Sequence, residues 1–132
     1  RSSYNPQALS FFSWLGVTYY LTREAIFATL RAIADIAPAG SAVIFDYLDN
    51  DAFVPEKAAK RVQVMIRDAR QIAGEPMITG FDPSTLAADL AGLGFYLQEN
   101  LSPTEIEERY FKGRTDGYHA CEHLHFARAV VE

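Results

Sequence analysis

Two short apolar runs separated by one amphipathic helix constrain this chain more than any other feature. Phe11-Phe12-Ser13-Trp14-Leu15-Gly16-Val17 and Ser41-Ala42-Val43-Ile44-Phe45-Asp46-Tyr47-Leu48 are rich in aromatic and branched side chains. Runs of that length and composition read as buried strands. Between them Ile26, Phe27, Leu30, Ile33, Ala34 and Ala37 recur at helical spacing. Thr22 is a good N-cap for that helix, Arg23-Glu24 fill its first turn, and Pro38 and Gly40 end it. Strand, helix and strand in so short a span make a βαβ unit, so the two strands are predicted to be parallel and joined by a right-handed crossover.

The rest of the chain extends this pattern. Asp49-Asn50-Asp51 reads as a turn, and residues 55–73 as a charged amphipathic helix with Ala59, Val62, Met65, Ile66 and Ala69 on its apolar side. Gly80-Phe81-Asp82-Pro83 leads into a helix capped by Asp82 or Ser84, with Leu86, Leu90 and Leu93 as its stripe. Phe95–Leu101 is a third strand, and residues 103–111 a short helix capped by Ser102 or Thr104. Gly113 to Gly117 is a loop, and His119–Val131 a long last strand. The order β-α-β-α-α-β-α-β predicts an α/β sheet with helices on both faces.

Bulk properties narrow the function classes. The 132 residues suit one domain, and 49% of them are hydrophobic, enough for a real core. A net charge of −5 argues against nucleic acid and against an anionic membrane surface as partners. No apolar run approaches the roughly 20 residues of a membrane-spanning helix. The single cysteine, Cys121, cannot form an internal disulfide, and no secretory pattern is present, so a cytoplasmic location is expected. The first residue is Arg1, not Met, so a processed product or a piece of a longer chain is expected.

Several segments resemble one family. Phe11–Thr22, reading FFSWLGVTYYLT, is similar to a segment of bacterial proteins related to the leucine carboxyl methyltransferases. So are Ala37-Pro38-Ala39-Gly40-Ser41 running into Phe45-Asp46-Tyr47, and Gly74-Glu75-Pro76. Gly80-Phe81-Asp82-Pro83, Leu93-Gly94-Phe95, and Arg109-Tyr110-Phe111 with Gly113-Arg114 follow in the same order and spacing. The resemblance covers nearly the whole chain. It implies the C-terminal half of a Rossmann-like class I methyltransferase fold: a mixed sheet of about four strands, the last one antiparallel. It also implies S-adenosylmethionine as the cofactor of the full-length protein, with methyl transfer to a carboxylate or other small-molecule acceptor. In that family the cofactor rests mainly on a glycine-rich loop after the first strand and an acidic residue after the second. Neither is present in this sequence, which has no G-x-G-x-x-G. Residues 1–132 are therefore expected to be part of one methyltransferase domain without its cofactor-binding half, and inactive alone. The family often carries Glu where this chain has Leu15.

By the same resemblance, Leu15, Gly16 and Val17 flank the cofactor, and Tyr19 and Tyr20 the acceptor; the competing reading is that these are packing residues. Asp46 and Tyr47 end the second strand and either line the same cleft or cap the next turn. Arg109 and Arg114 suit a guanidinium fork for an acceptor carboxylate, or, more plainly, surface pairing with Glu107 or Glu108. His119, Cys121, His123 and His125 are spaced by two and would share one face of a strand, a pattern compatible with zinc. The last strand is expected inside the sheet with no further ligand beside it, so no metal is assigned. Methyl transfer from an activated sulfonium needs positioning more than a protein nucleophile, so the lack of a catalytic motif does not exclude it. A non-catalytic α/β binding or oligomerisation module and another nucleotide-binding α/β protein are the competing classes. Phe11–Val17 holds no Lys, Pro or charge to blunt a strand edge, so a homo-oligomer, or pairing with its own N-terminal half, is expected.

Overall fold

β1 (Phe11–Trp14) and β2 (Ala42–Leu48) run side by side and parallel, from Phe11 opposite Ala42 to Trp14 opposite Phe45. This is the arrangement that the helix between them imposes. The computed structural model describes residues 9–72, 74, 76–111 and 122–132. That helix, α1 (Arg23–Ile36), starts behind Thr22, whose hydroxyl oxygen accepts the Ala25 N–H at 3.1 Å. β4 (Leu124–Val131) lies antiparallel to β2 along its whole length, and β3 (Phe95–Leu101) lies antiparallel to β4 on its far side. The strand order is β1-β2-β4-β3. The parallel first pair and the antiparallel, internal last strand agree with expectation.

Alternation along the strands sorts the core. Val43, Phe45 and Tyr47 of β2, with Ala127, Ala129 and Val131 of β4 and Phe95 of β3, point to one face. Ile26 and Leu30 of α1 cover them, together with Leu86 and Leu90 of α3 (Leu86–Ala91). The other set, Leu48 of β2 and Leu124 of β4, joins a second cluster with Ala52, Met77 and Val62, the last on α2 (Lys60–Gln71). Both faces therefore carry helices, as predicted. The second face is covered mainly at the end where β2 stops, and Phe11 at its β1 margin stays 60% exposed.

Four boundaries differ from the sequence reading. β1 ends at Trp14 rather than Val17, because Gly16 takes a left-handed φ of 73° and turns the chain. α2 starts at Lys60 rather than near residue 55. A turn of 3-10 helix at Asn50–Phe53 comes first, and Ala59 is held extended while a distant histidine takes its N–H. α3 starts at Leu86, since Asp82 folds back to accept the Ser84 N–H and hydroxyl, at 2.9 and 2.7 Å, instead of capping a helix. The last strand begins at Leu124, because His123 sits in a turn with a φ of 67°. The short helix α4 (Pro103–Ile106) has a complete capping box between Ser102 and Glu105 and continues as one π turn over Glu107–Phe111.

Candidate functional site at the carboxyl edge of the sheet

The C-terminal ends of the parallel strands β1 and β2 meet at one edge, and antiparallel β4 begins there. In open α/β sheets this edge gathers ligands. The loop after β1 is folded over it. Gly16 donates its N–H to Asp46 Oδ1 at 2.7 Å, and the buried Thr18 hydroxyl donates to the Asp46 carbonyl at 2.7 Å. Farther along, Ile78 donates its N–H to the Tyr19 carbonyl at 2.7 Å, and the Thr79 hydroxyl donates to the Leu21 carbonyl. Asp46 thus holds the turn that carries Leu15, Gly16 and Val17. Burial pushes its carboxyl above the usual range, and the Gly16 N–H partly offsets this.

The placement of the predicted residues is uneven. Leu15 is 51% exposed and Gly16 is exposed, while Val17 is half-buried, so this turn presents an apolar, backbone-lined surface. That is a suitable surface for part of an adenosyl or methionyl group. Tyr19 and Tyr20 stack edge to face, with ring centres 5.0 Å apart, and pack against the cluster around Leu48 and Met77. Tyr47 does not line the cleft. Its face of β2 points into the core, where the ring is fully buried, stacks on His125 at 5.0 Å and meets Phe81 edge to face. Its hydroxyl donates to Asn100 Oδ1 at 2.6 Å, and burial pushes its pKa up to about 12. Arg109 pairs with Glu99 at 2.9 Å, not with Glu107 or Glu108, and Glu99 belongs to the strand at the opposite edge of the sheet from β1. The fold therefore does not bring Arg109 to Leu15–Tyr20. Arg114, His119 and Cys121 lie outside the described residues.

One constellation at this edge escaped the sequence reading. Asp49, directly after β2, binds His123 Nδ1 through Oδ1 at 2.8 Å and His125 Nε2 through Oδ2 at 2.9 Å. Ala59 donates its N–H to His123 Nε2 at 2.9 Å, which assigns the His123 proton to Nδ1. All three side chains are largely buried. With both His123 nitrogens occupied, the cluster acts as a clamp between the end of β2, the start of β4 and the start of α2. Asp49 could have been suspected from its position after an apolar parallel strand, but its partners could not. Among the described residues no group of three or more His, Cys, Asp or Glu is placed to hold a metal. No helix among them is long and apolar enough to cross a membrane.

The mixed four-stranded sheet with its helices resembles the class I methyltransferase fold. The chain is 36% identical, over 121 residues and 92% of its length, to Bacillus subtilis (strain 168) YktD, named provisionally as an S-adenosyl-L-methionine-dependent methyltransferase. It spans about 40% of the length of that relative. Among solved structures it superposes on the mitomycin 7-O-methyltransferase MmcR with a TM-score of 0.58, at 13% identity over 98% of this chain and 31% of that one. It also matches the O-methyltransferase NcsB1 from neocarzinostatin biosynthesis, solved with S-adenosylmethionine and a naphthoic acid. That match has a TM-score of 0.53 and 12% identity, and it covers 97% of this chain and 30% of that one. No protein-family model matches the sequence.

Proposed function

We propose that this chain is the acceptor-side portion of an S-adenosylmethionine-dependent methyltransferase that methylates an oxygen of a carboxylate or another small-molecule acceptor. The observation that carries this reading is the 36% identity to YktD across 92% of the chain. The clamped turn at Leu15–Val17 supports it, since it offers a fixed apolar surface at the ligand-binding edge of the sheet. The segments similar to leucine carboxyl methyltransferase-like proteins favour a carboxylate acceptor. S-adenosylmethionine, when bound, would supply an already activated methyl group, and an ionised carboxylate acceptor would need no protein base to receive it. The chain's own part is to hold the turn of Leu15, Gly16 and Val17 through Asp46 and to shape the acceptor side through Tyr19 and Tyr20.

Within these residues no glycine-rich loop follows an early strand, so cofactor binding is assigned mainly to a complementary N-terminal segment. Calorimetry tests this on the chain alone and on the chain joined to the N-terminal segment of YktD. S-adenosylmethionine should bind the joined protein and not the chain alone. Micromolar binding by the chain alone would displace the proposed cofactor site, and no binding by the joined protein would remove the methyltransferase reading. The 60% exposed Phe11 on the sheet-edge strand β1 favours a second reading, a non-catalytic α/β binding or oligomerisation module. Under either reading β1 pairs with a strand from a second copy or from the N-terminal half. Sedimentation showing a monomer at high concentration would exclude the second copy.

A further inference from the structure

α2 and the 3-10 turn after β2 flank an open pocket of about 310 Å³. Its apolar walls include Phe53, Ala58, Ile66 and Met77. Gln63, also in the lining, donates from its side-chain amide to the carbonyls of Pro55 and Ala58, both at 3.0 Å. Two cations stand on the α2 side, Arg67 and Arg70. They are three residues apart and so share one face of the helix. Arg67 meets Asp68 loosely, through Nε at 3.7 Å, and Arg70 has no carboxylate partner among the described residues. Among the described residues no acidic side chain lines the pocket, although the chain as a whole carries a net charge of −5. Two guanidiniums beside an apolar cavity in an acidic protein are a local reversal of charge.

We infer that this pocket binds a compact amphiphilic anion, with its apolar body against Ile66 and Met77 and its carboxylate facing Arg67 and Arg70. The volume lies at the small end of the roughly 300–1,000 Å³ of ligand pockets, which suits a molecule of one or two rings. A single guanidinium fork matches a carboxylate through two parallel hydrogen bonds, and a second one beside it adds charge. The pocket shares a packing cluster with the acceptor side of the edge. Met77 and Ile66 belong to the cluster against which Tyr19 and Tyr20 pack, and the 3-10 turn that forms one wall leaves β2 at its C-terminal end. This inference rests on the methyltransferase reading for its role: the carboxylate held by Arg67 and Arg70 anchors the acceptor and a different oxygen of it would take the methyl group, while the binding itself can be measured without the cofactor.

The test is an NMR titration of the chain with 1-naphthoate and with its neutral analogue 1-naphthalenemethanol. Naphthoate should bind at least about tenfold more tightly, the ratio that one charge-assisted contact gives. The shifts should centre on Ile66 and Met77. The double variant Arg67→Gln/Arg70→Gln keeps good helix formers at both exposed positions and should erase the preference while retaining weak binding of the neutral compound. Ala58→Trp should fill the cavity and abolish both. Equal affinities for the two compounds, a preference that survives in the double variant, or shifts centred on the sheet face around Phe11 would overturn the proposal. The joined protein separates the two ideas: naphthoate binding without S-adenosylmethionine binding leaves the pocket standing and removes the methyltransferase reading. The reverse result removes the pocket alone.

Discussion

Replacing Asp49 by alanine should be among the most damaging single changes at the carboxyl edge. The carboxylate accepts two ring N–H groups, at 2.8 Å from His123 and 2.9 Å from His125, in a cluster whose side chains are 8–18% exposed. Hydrogen bonds to a charged group contribute about 1.5–3 kcal/mol each, and a donor left buried without a partner adds its own cost. The two bonds share one carboxylate and do not simply add, so about 3 kcal/mol is expected for Asp49→Ala. Asp49→Asn should cost about half as much. Its one carbonyl oxygen can serve His123, which the Ala59 N–H holds in the Nδ1 tautomer, while the amide N–H turns toward His125 and suits that ring only if its proton moves to Nδ1. Urea unfolding followed by tryptophan fluorescence measures both variants, and an unchanged slope identifies the effect as one on stability. A cycle with His123→Ala should give a coupling above about 1 kcal/mol. Asp49→Ala within about 0.5 kcal/mol of the parent, the range of ordinary surface changes, would refute the clamp.

Other expectations follow from the same geometry. Burial raises the pKa of Asp46, so its contribution to stability is fully present below its unfolded value and is lost as pH rises through the folded one. Asp46→Asn keeps an oxygen for the Gly16 N–H and should therefore be at least as stable as the parent at neutral pH. That advantage should vanish on acidification toward about pH 4, with urea midpoints across the range as the measurement. The exposed carboxyls of Asp82 and Glu105 shift the other way, lowered first by the Ser84 side chain and by the Ser102 backbone N–H respectively, so their stabilisation is lost as pH falls through their folded values. Gly16→Ala forces a side chain into a left-handed backbone and should cost about 1–2 kcal/mol in thermal unfolding, because a Cβ there meets only ordinary contact, Tyr19 Oη at 3.7 Å. Leu90→Ala empties a fully buried position between α3 and the sheet and should cost about 2–5 kcal/mol, read from the urea midpoint.

Local signals in the sequence determined the elements. Period and composition located β2 and β3 to within a residue, and the hydroxyls of Thr22 and Ser102 marked helix starts, because capping and alternation depend on residues a few positions apart. The helix between two apolar strands also determined that β1 and β2 run parallel. Contacts between distant segments were decided by the tertiary structure alone. Asp49 meets His123 and His125 across 74 and 76 positions, and Arg109 turns to Glu99 because its helix folds back along β3. Tyr47 was legible as a strand residue, but which face of β2 would be covered depended on where α1 and α3 pack. Read from sequence, Asp46 and Tyr47 both line one cleft or cap one turn, although neighbours on a strand face opposite sides. Only the packed sheet made one of them the anchor of the Gly16 turn and the other a core ring, because burial of a side chain is a property of what lies across from it and not of its neighbours in sequence.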